Sequence, residues 1–591
     1  MRTIQELLSE SFSLNKEKTV IESENETLSY SELAFQARSV YNLLSALDLP
    51  AGSTIGIYCE EFSMVVSSIL GVLYHRCVFV PLDKSLPQAR LETMIQQADI
   101  DYILHDSGKG IHPAFDNVSY RWISLHDSPK NNTEIAANYD SEDHVYVYFT
   151  SGSSGMPKAV VGKNKSLVQF IEWEINKFGL KGKRFSQFTN IGFDASLRDI
   201  LLPIIAGGTI CVSSKDILFS GDAMIDWVLK TKVNVIHCVP SVFKILRDGK
   251  VNNSLVDVLE YILMAGEKIL PVDLELWYHN YGWQINLVNL YGLTETTLVK
   301  AFHLVEYEDM SKGFIPVAPM MGTVFCILDN DGKEVEKGDV GNIYIKSEFL
   351  ASGYLTNRCT DTNTLNIDRF TSPYNTGDIG RELEDGRFEI IGRSDNQVKI
   401  SGIRINLDEI RTHILKVQSV RDAYVTINKE HQNEPSIYAY VIGRQKPEVV
   451  QRYLASKLPS YMVPVFIRTI DELPLLANGK VAHKALPKPE LNSHIVSFTE
   501  NKTEETLISL ASRVFGVSEN KISVTDNIVE IGRQSLKLMM FLNLLKKEFA
   551  VNTSMQLLFE KKTFRNLSDY LITTSIYGTE KGSEGTIEIS I

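Results

Sequence analysis

Short apolar runs alternate with longer amphipathic segments over the first 400 residues of the chain. The longer segments, such as "SYSELAFQARSVYNLLSAL" and "EFSMVVSSILGVLYH", repeat their apolar residues at helical spacing. The runs have the length of buried strands; they include "STIGIYC" (53–59), "CVFVPL" (77–82), "DYILHD" (101–106) and "HVYVYF" (144–149), and the pattern recurs at "VNVIHCVPSVFKIL" (233–246) and "EYILMAG" (260–266). This alternation predicts an α/β fold with parallel-type sheets covered by helices.

The pattern changes near residue 335. "GNIYIKS" and "GRELEDGRFEIIGR" predict short strands and hairpins. A smaller mixed unit, a linker rich in Pro, Ser, Asn and Lys, and a compact helical segment follow. We therefore divide the chain into a large N-terminal unit (1–393), a smaller α+β unit (394–490), a linker (491–501), a helical unit (502–577) and a flexible tail (578–591).

Composition limits the class of protein. The chain has 591 residues, too many for one hydrophobic core, and 44% hydrophobic with 23% charged residues is ordinary globular composition. A formal charge of -13 argues against a nucleic-acid partner. The six cysteines show no CxxC spacing, which favours reduced thiols, and no apolar run is long enough for a signal peptide or a membrane span. We expect a soluble cytoplasmic enzyme.

The stretch "YFTSGSSGMPK" (148–158) follows an apolar strand and is rich in glycine and hydroxyl groups. Backbone N–H groups in such a loop can approach a phosphate closely, and Lys158 can add a charged donor. A Ser/Gly run is also typical of a solvated linker. Taken alone, the loop leaves both interpretations open.

Four further segments carry candidate chemistry. "NLYGLTETT" (289–297) places Glu295 among hydroxyls, which suits either a Mg²⁺ ligand or a helix cap. "YNTGDIGR" (374–381) offers Asp378, which suits either a ribose or a structural turn. "GRSDNQVKISGIR" (392–404) and "NGKVAHKAL" (478–486) contribute basic residues near turns, and a surface lysine is more often solvated than catalytic.

These segments together resemble the motifs of the adenylate-forming superfamily, above all the amino-acid adenylation domain of nonribosomal peptide synthetases. The resemblance covers about 490 residues and includes "LSYSEL" (28–33), "FDASLRDI" (193–200) and "LPSYMVP" (458–464) in family order. It implies a large N-terminal subdomain with a small β-barrel-like part, a smaller mobile C-terminal subdomain, and the cofactors ATP and Mg²⁺. The chain departs from the family pattern at Ala159, Leu293, Ala482 and His483, and none of these removes a group assigned to chemistry.

The resemblance also implies a role for each matching position. Lys480 would bridge the substrate carboxylate and the α-phosphate, Thr294 and Glu295 would serve that phosphate and the metal, and Lys399 would face the thioester-forming site. Asp395 would be the hinge between two domain orientations. The implied ATP-binding residues are Thr150, Ser151, Gly152, Ser153, Ser154, Gly155, Lys158, Asn289 (adenine), Tyr291, Asp378 and Arg393 (ribose).

The same resemblance implies the position of the amino-acid site. Asp194 would bind the substrate α-ammonium, and the pocket would be lined by Ala195, Arg198, His237, Leu263, Ala265, Leu290, Leu298 and Val299. A buried arginine needs a partner. Arg198 would therefore pair with an anionic group of an acidic substrate, or else with Asp199 or solvent, leaving a small polar, serine-like site. The sequence leaves these alternatives open.

"DNIVEIGRQSL" (526–536) resembles the attachment site of a peptidyl carrier protein, which is a four-helix bundle. Ser535 would carry 4'-phosphopantetheine, although a serine before an apolar helix is also an ordinary N-cap. The family pattern has Gly-Gly where this chain has Gly532 and Arg533.

The predicted function is ATP-dependent loading of an amino acid onto the fused carrier, in a freestanding loading module. Its partners would be an amino acid, a phosphopantetheinyl transferase, and a condensation, tailoring or acyl-transfer enzyme, with no nucleic acid and no membrane. A ligase that uses free CoA and a catalytically silent carrier scaffold remain the alternatives.

Overall fold

The computed structural model describes residues 1–47, 49–100, 102–106, 121–127, 138–152, 155–359, 364–428, 435–474, 481–487, 499, 501–515, 517–532, 535–549, 551, 557–558 and 561–578. Its contacts divide the chain into two compact units. The first comprises residues 1–152 and 156–406, and the second comprises 153–155 and 407–591. The division therefore falls after Asn406.

The first unit contains two large mixed sheets. The nine-stranded sheet has the order β15-β14-β13-β12-β11-β9-β10-β1-β2, and the eight-stranded sheet has the order β19-β18-β8-β7-β4-β3-β5-β6. The strands are β1 (Thr19–Glu22), β2 (Thr27–Ser29), β3 (Thr54–Tyr58), β4 (Val78–Pro81), β5 (Tyr102–His105), β6 (Arg121–Ser124), β7 (His144–Thr150), β8 (Lys158–Lys163), β9 (Arg184–Gln187), β10 (Thr209–Val212), β11 (Val235–Cys238), β12 (Tyr261–Met264), β13 (Asn286–Gly292), β14 (Val299–Leu304), β15 (Ala318–Pro319), β18 (Gly353–Cys359) and β19 (Thr364–Arg369).

The central strands of both sheets run parallel, as the alternating pattern predicts, and antiparallel strands extend the sheets on their flanks. Helices supply the apolar surface that covers the sheets. They are α1 (Ile4–Leu14), α2 (Tyr30–Ser45), α3 (Phe62–Tyr74), α4 (Gln88–Gln97), α5 (Asn164–Phe178), α6 (Ser196–Ile205), α7 (Gly221–Thr231), α8 (Pro240–Arg247) and α9 (Pro271–Tyr281).

A separate antiparallel sheet with the order β16-β17-β20-β21 occupies the region where the sequence predicts short strands and hairpins and the resemblance implies a β-barrel-like part. Its strands are β16 (Thr323–Leu328), β17 (Gly341–Ser347), β20 (Tyr374–Glu382) and β21 (Phe388–Arg393). The "EDGR" turn joins β20 to β21, as predicted. A two-stranded hairpin, β22 (Gln397–Ile400) and β23 (Ile403–Asn406), ends the first unit.

The second unit contains an α+β segment that begins at Leu407. It contains α10 (Leu407–Leu415), α11 (Pro447–Lys457) and a three-stranded sheet of β24 (Val420–Asn428), β25 (Ser436–Gly443) and β26 (Phe466–Ile470). The helical segment follows, with α12 (Lys502–Phe515), α13 (Ile528–Gly532), α14 (Ser535–Phe549) and α15 (Phe564–Gly578). The predicted fold class, an α/β unit followed by an α+β unit and a helical unit, is confirmed.

Among the described residues, no helix combines the length and the low polarity that a membrane-spanning helix needs.

Candidate active site

The predicted phosphate loop lies at a hairpin between β7 and β8, where Thr150 is the register partner of Lys158. The Lys158 ammonium lies over the Tyr354 ring, 4.9 Å from its centroid, and Ser151 Oγ donates to the Arg404 carbonyl at 2.8 Å. The buried residues Gly152 and Gly155 flank Ser153 and Ser154, which lie outside the described residues. The hairpin therefore presents Lys158 beside an aromatic face at the mouth of the loop.

Glu295 lies in a 3-10 turn, Thr294–Thr296, directly after β13. It is 1% exposed, and its carboxylate accepts hydrogen bonds from Tyr354 Oη at 2.9 Å and from Arg404 Nη1 at 2.9 and 3.0 Å. Burial alone would raise the pKa of Glu295, but the Arg404 charge and the hydrogen bonds outweigh it and lower that pKa. Glu295 is thus a buried, ionised carboxylate, which is the chemistry that a Mg²⁺ ligand requires.

Asp378 and Arg393 are register partners on the antiparallel strands β20 and β21. Asp378 Oδ1 accepts from Arg393 Nη1 at 3.1 Å, and Asp378 Oδ2 accepts from Tyr291 Oη at 2.6 Å. Gly377 precedes the carboxylate with φ of 71°, and a Cβ there would lie 2.6 Å from Arg393 Nη2. Glycine is therefore required if the guanidinium is to reach Asp378.

Three further predicted residues, Asp395, Asn289 and Lys399, are less buried than Asp378. Asp395 accepts from Arg393 Nε at 2.9 Å and Nη2 at 2.7 Å, so one guanidinium joins the predicted ribose carboxylate to the predicted hinge residue. Asn289 uses its amide nitrogen for the Ile315 and Pro316 carbonyls, both at 3.3 Å. Lys399 is half-buried on β22, and the partial loss of water around its ammonium lowers its pKa.

Asp194 lies just before α6, with Ala195 at the N-cap position of that helix. Burial raises the pKa of the Asp194 carboxyl to about 6, the Thr294 hydroxyl acts against this shift, and the nearby charge of Glu295 adds to it. These interactions show that Asp194 is close to the Thr294–Thr296 turn. Asp194, which is predicted to bind the substrate ammonium, and Glu295, which is predicted to bind the metal, therefore lie in the same region of the first unit.

The predicted aliphatic lining is largely assembled in one apolar cluster. His237 and Leu263 are register partners on the parallel strands β11 and β12. The cluster includes four buried members of the predicted lining and a partly buried one; they are Leu263, Leu290, Leu298, Val299 and Ala265.

Arg198 has a partner that the sequence did not indicate. Its Nε and Nη2 donate to the two carboxylate oxygens of Glu174 on α5, at 3.0 and 2.5 Å. The expected alternatives, a pairing with Asp199 or an outward orientation, are not adopted, because Asp199 instead accepts from His237 Nδ1 at 3.0 Å and Arg198 is 3% exposed. Although burial opposes it, the Arg198 charge lowers the pKa of Glu174 to about 2.

Sequence reasoning therefore missed Glu174, Tyr354 and Arg404. Arg404 ends the quoted motif "GRSDNQVKISGIR", and its charge was the one signal that could have suggested a partner for Glu295. The sequence pattern also gave no sign of Lys300. This residue is fully buried on β14, and its Nζ has no hydrogen-bond partner among the described residues.

Two predicted residues cannot be placed from their side chains. Lys480 lies outside the described residues. Ser535 is the first residue of α14, as expected for a carrier serine, and its side chain is outside the described part of the chain.

A family model for AMP-binding enzymes matches residues 8–355, more than half of the chain, and the model for the C-terminal domain of these enzymes matches residues 409–480. A phosphopantetheine attachment site matches residues 505–571. The chain belongs to the AMP-binding enzyme family, and its resemblance to an adenylation domain followed by a carrier domain is confirmed.

Curated relatives are much longer than this chain. Tyrocidine synthase 3 of Brevibacillus parabrevis is 28% identical over 593 residues, which cover 96% of the chain and 9% of that protein. Surfactin synthase subunit 3 of Bacillus subtilis (strain 168) is 28% identical over 596 residues, which cover 98% of the chain and 46% of that protein. The chain thus spans less than half the length of either relative.

A solved structure with the same fold is a nonribosomal peptide synthetase protein containing adenylation and PCP domains, bound to a vinylsulfonamide inhibitor. It superposes with a TM-score of 0.75 at 21% identity, covering 97% of this chain and 96% of that one. A four-domain nonribosomal peptide synthetase bound to AMP and glycine gives a TM-score of 0.56 at 25% identity, covering 97% of this chain and 43% of that one.

Proposed function

We propose that the protein joins an amino acid to AMP at the expense of ATP and then loads the aminoacyl group onto its own carrier segment. The observation that carries this proposal is the proximity of Asp194 to Thr294 and Glu295. An ammonium-binding carboxylate beside a metal-binding carboxylate holds an amino acid next to a nucleoside triphosphate. That juxtaposition is what attack on the α-phosphate requires.

In the first reaction the substrate carboxylate oxygen forms a bond to the α-phosphorus of ATP. The bond to the bridging oxygen breaks, and pyrophosphate leaves with that electron pair. Asp378 and Arg393 hold the ribose, the 150–158 loop holds the leaving phosphates, and Lys480 offsets the charge of the two approaching anions.

The residues present fit the two cofactors of the family. Glu295 is a buried ionised carboxylate, and Mg²⁺ bound there would neutralise phosphate charge. Ser535 begins a helix, whose N-terminus favours a phosphodiester, and 4'-phosphopantetheine bound there would supply the thiol that accepts the aminoacyl group. The carrier would be modified by a phosphopantetheinyl transferase and would deliver its cargo to a further enzyme.

Amino-acid-dependent exchange of labelled pyrophosphate into ATP tests the first reaction. The full-length protein is assayed with a panel of proteinogenic and nonproteinogenic amino acids. We expect exchange with at least one amino acid, and a loss of about 10²-fold or more in Lys480→Ala. Background exchange with every amino acid, unchanged by Lys480→Ala, would show that the protein is a carrier scaffold without this activity.

A further inference from the structure

Four polar or charged side chains are buried together at the predicted amino-acid site. Arg198 and Asp199 lie on α6, Glu174 lies on α5 and His237 lies on β11. None of them is more than 3% exposed. They are joined in a chain, because His237 Nδ1 lies 3.0 Å from Asp199 and His237 Nε2 lies 3.4 Å from Glu174, which also binds Arg198.

This network adjoins the predicted amino-acid site on two sides. Arg198 lies in the first turn of α6, four residues after Asp194, which precedes the N-cap of that helix. His237 lies beside its strand partner Leu263, a member of the apolar cluster that contains Leu290 and Leu298. The network therefore lies next to residues that the sequence predicts to line the amino-acid site.

Two of the three guanidinium nitrogens of Arg198 are engaged by Glu174. Its Nε and Nη2 form a bidentate pair with Glu174, the strongest geometry available to a guanidinium and a carboxylate. Asp199 is equally occupied, since it accepts from His237 and from the backbone N–H groups of Phe188 and Thr189, at 3.1 and 2.9 Å.

The network carries no excess of positive charge. Two carboxylates, Glu174 and Asp199, face one guanidinium, so the sum is negative with a neutral His237 imidazole and zero with a protonated one. No positive charge is left over for a substrate anion. A substrate carboxylate at this position would meet the Glu174 carboxylate without a counter-charge, and a buried charge without a partner is costly.

We propose that Glu174 is a specificity-determining residue that neutralises Arg198, so that the site selects a neutral amino acid with a small or polar side chain and rejects aspartate and glutamate. This inference rests on the proposed function and names its substrate class. Arg198 then acts as a fixed part of the wall and does not bind a substrate anion.

Pyrophosphate exchange with serine, threonine, asparagine, aspartate and glutamate tests this inference. We expect the wild-type protein to favour the neutral amino acids. In Glu174→Gln the Arg198 charge loses its counter-ion, so the rate ratio of aspartate to serine should rise about tenfold or more. Glu172→Gln, on the same helix with its side chain 41% exposed, should leave that ratio unchanged.

A double variant provides a second test in case Glu174→Gln does not fold. Glu174→Gln with Arg198→Gln removes both charges, and we expect it to keep the wild-type preference for neutral amino acids. Wild-type preference for aspartate or glutamate overturns the inference, as does an unchanged ratio in an active Glu174→Gln. Both of those results leave the proposed function standing, whereas wild-type protein that is inactive with every amino acid removes the proposed function itself.

Discussion

Arg404 Nη1 donates to both carboxylate oxygens of Glu295, at 2.9 and 3.0 Å. The contact keeps a nearly fully buried carboxylate ionised, because the guanidinium offsets the burial that would otherwise favour the neutral form. A metal ion that uses Glu295 must therefore share this carboxylate with Arg404 or replace it.

Glu295→Gln keeps the size of the side chain and removes its charge. We expect adenylation to fall about 10²–10³-fold and the Mg²⁺ concentration for half-maximal rate to rise, because the amide is a poor metal ligand. Pyrophosphate exchange over a series of Mg²⁺ concentrations measures both effects. Glu348→Gln, at an exposed position, serves as the control, and an unchanged Mg²⁺ dependence in Glu295→Gln would exclude Glu295 as a ligand.

Asp378→Asn should raise the KM for ATP about tenfold or more, with a smaller effect on the KM for the amino acid. The amide loses the negative charge that pairs with Arg393 and one acceptor for a ribose hydroxyl. Steady-state kinetics with each substrate varied in turn separate the two constants. Asp385→Asn, in the exposed turn between β20 and β21, should match the wild type; equal changes in both KM values would point to a structural role for Asp378.

The pH dependence of amino-acid use follows from Asp194. Burial raises the pKa of its carboxyl from 3.8 to about 6, so the group is mainly ionised at neutral pH and becomes neutral as the pH falls through that value. A neutral carboxyl no longer attracts an ammonium. We expect kcat/KM for the amino acid to fall below a pH of about 6, while kcat/KM for ATP changes less. An amino-acid profile that stays flat down to a pH of about 5 would argue against Asp194 as the ammonium partner.

Lys300 gives a prediction about stability. Burial lowers its pKa from 10.5 to about 7, so between these values the unfolded chain binds a proton that the folded protein does not. Stability therefore rises with pH across this window and the contribution is most unfavourable below it. Lys300→Met should be more stable than the wild type by about 1 kcal/mol or more at a pH of about 7, with a smaller difference at a pH of about 9.

Thermal unfolding of both proteins at the two pH values measures the effect of Lys300. Lys346→Met, at an exposed position on β17, controls for the loss of one positive charge. A Lys300→Met protein that is less stable than the wild type at both pH values would show that the ammonium is a stabilising group.

Ser535→Ala should abolish covalent loading and leave pyrophosphate exchange intact, because the hydroxyl is needed only for attachment of the pantetheine arm. Mass spectrometry after incubation with a phosphopantetheinyl transferase and CoA detects the modification directly. Ser518→Ala, at an exposed position in the same helical unit, should be modified normally. Covalent modification that persists in Ser535→Ala would show that Ser535 is not the attachment site.

Local pattern was sufficient for much of the fold. The run "HVYVYF" (144–149) forms the strand His144–Thr150, and "EFSMVVSSILGVLYH" (61–75) forms the helix Phe62–Tyr74. These elements follow from periodicity within a few residues. The antiparallel placement of β8 against β7 is a property of the turn geometry and sheet edge, which the apolar pattern of each strand does not encode.

The pairing of charges was much harder to predict. Glu174 and Arg198 lie 24 residues apart on different helices, and nothing in either local segment marks them as partners. Asp378 and Arg393 can be predicted as site residues because they lie in the motifs "YNTGDIGR" and "GRSDNQVKISGIR". Their direct contact depends on the register of β20 and β21. Motifs thus indicate which residues matter, while the fold decides which of them meet.

The guanidinium of Arg393 divides its donors among Asp378, Asp395, Gln397 and the Thr376 carbonyl. A planar fork with several fixed donors can span these acceptors at once, and a lysine ammonium on a flexible stem cannot. Replacement of Arg393 by lysine, often regarded as conservative, would therefore uncouple Asp378 on β20 from the segment that follows β21. A change in the hydrogen bonds of Asp378 is therefore transmitted to Asp395 through the Arg393 side chain.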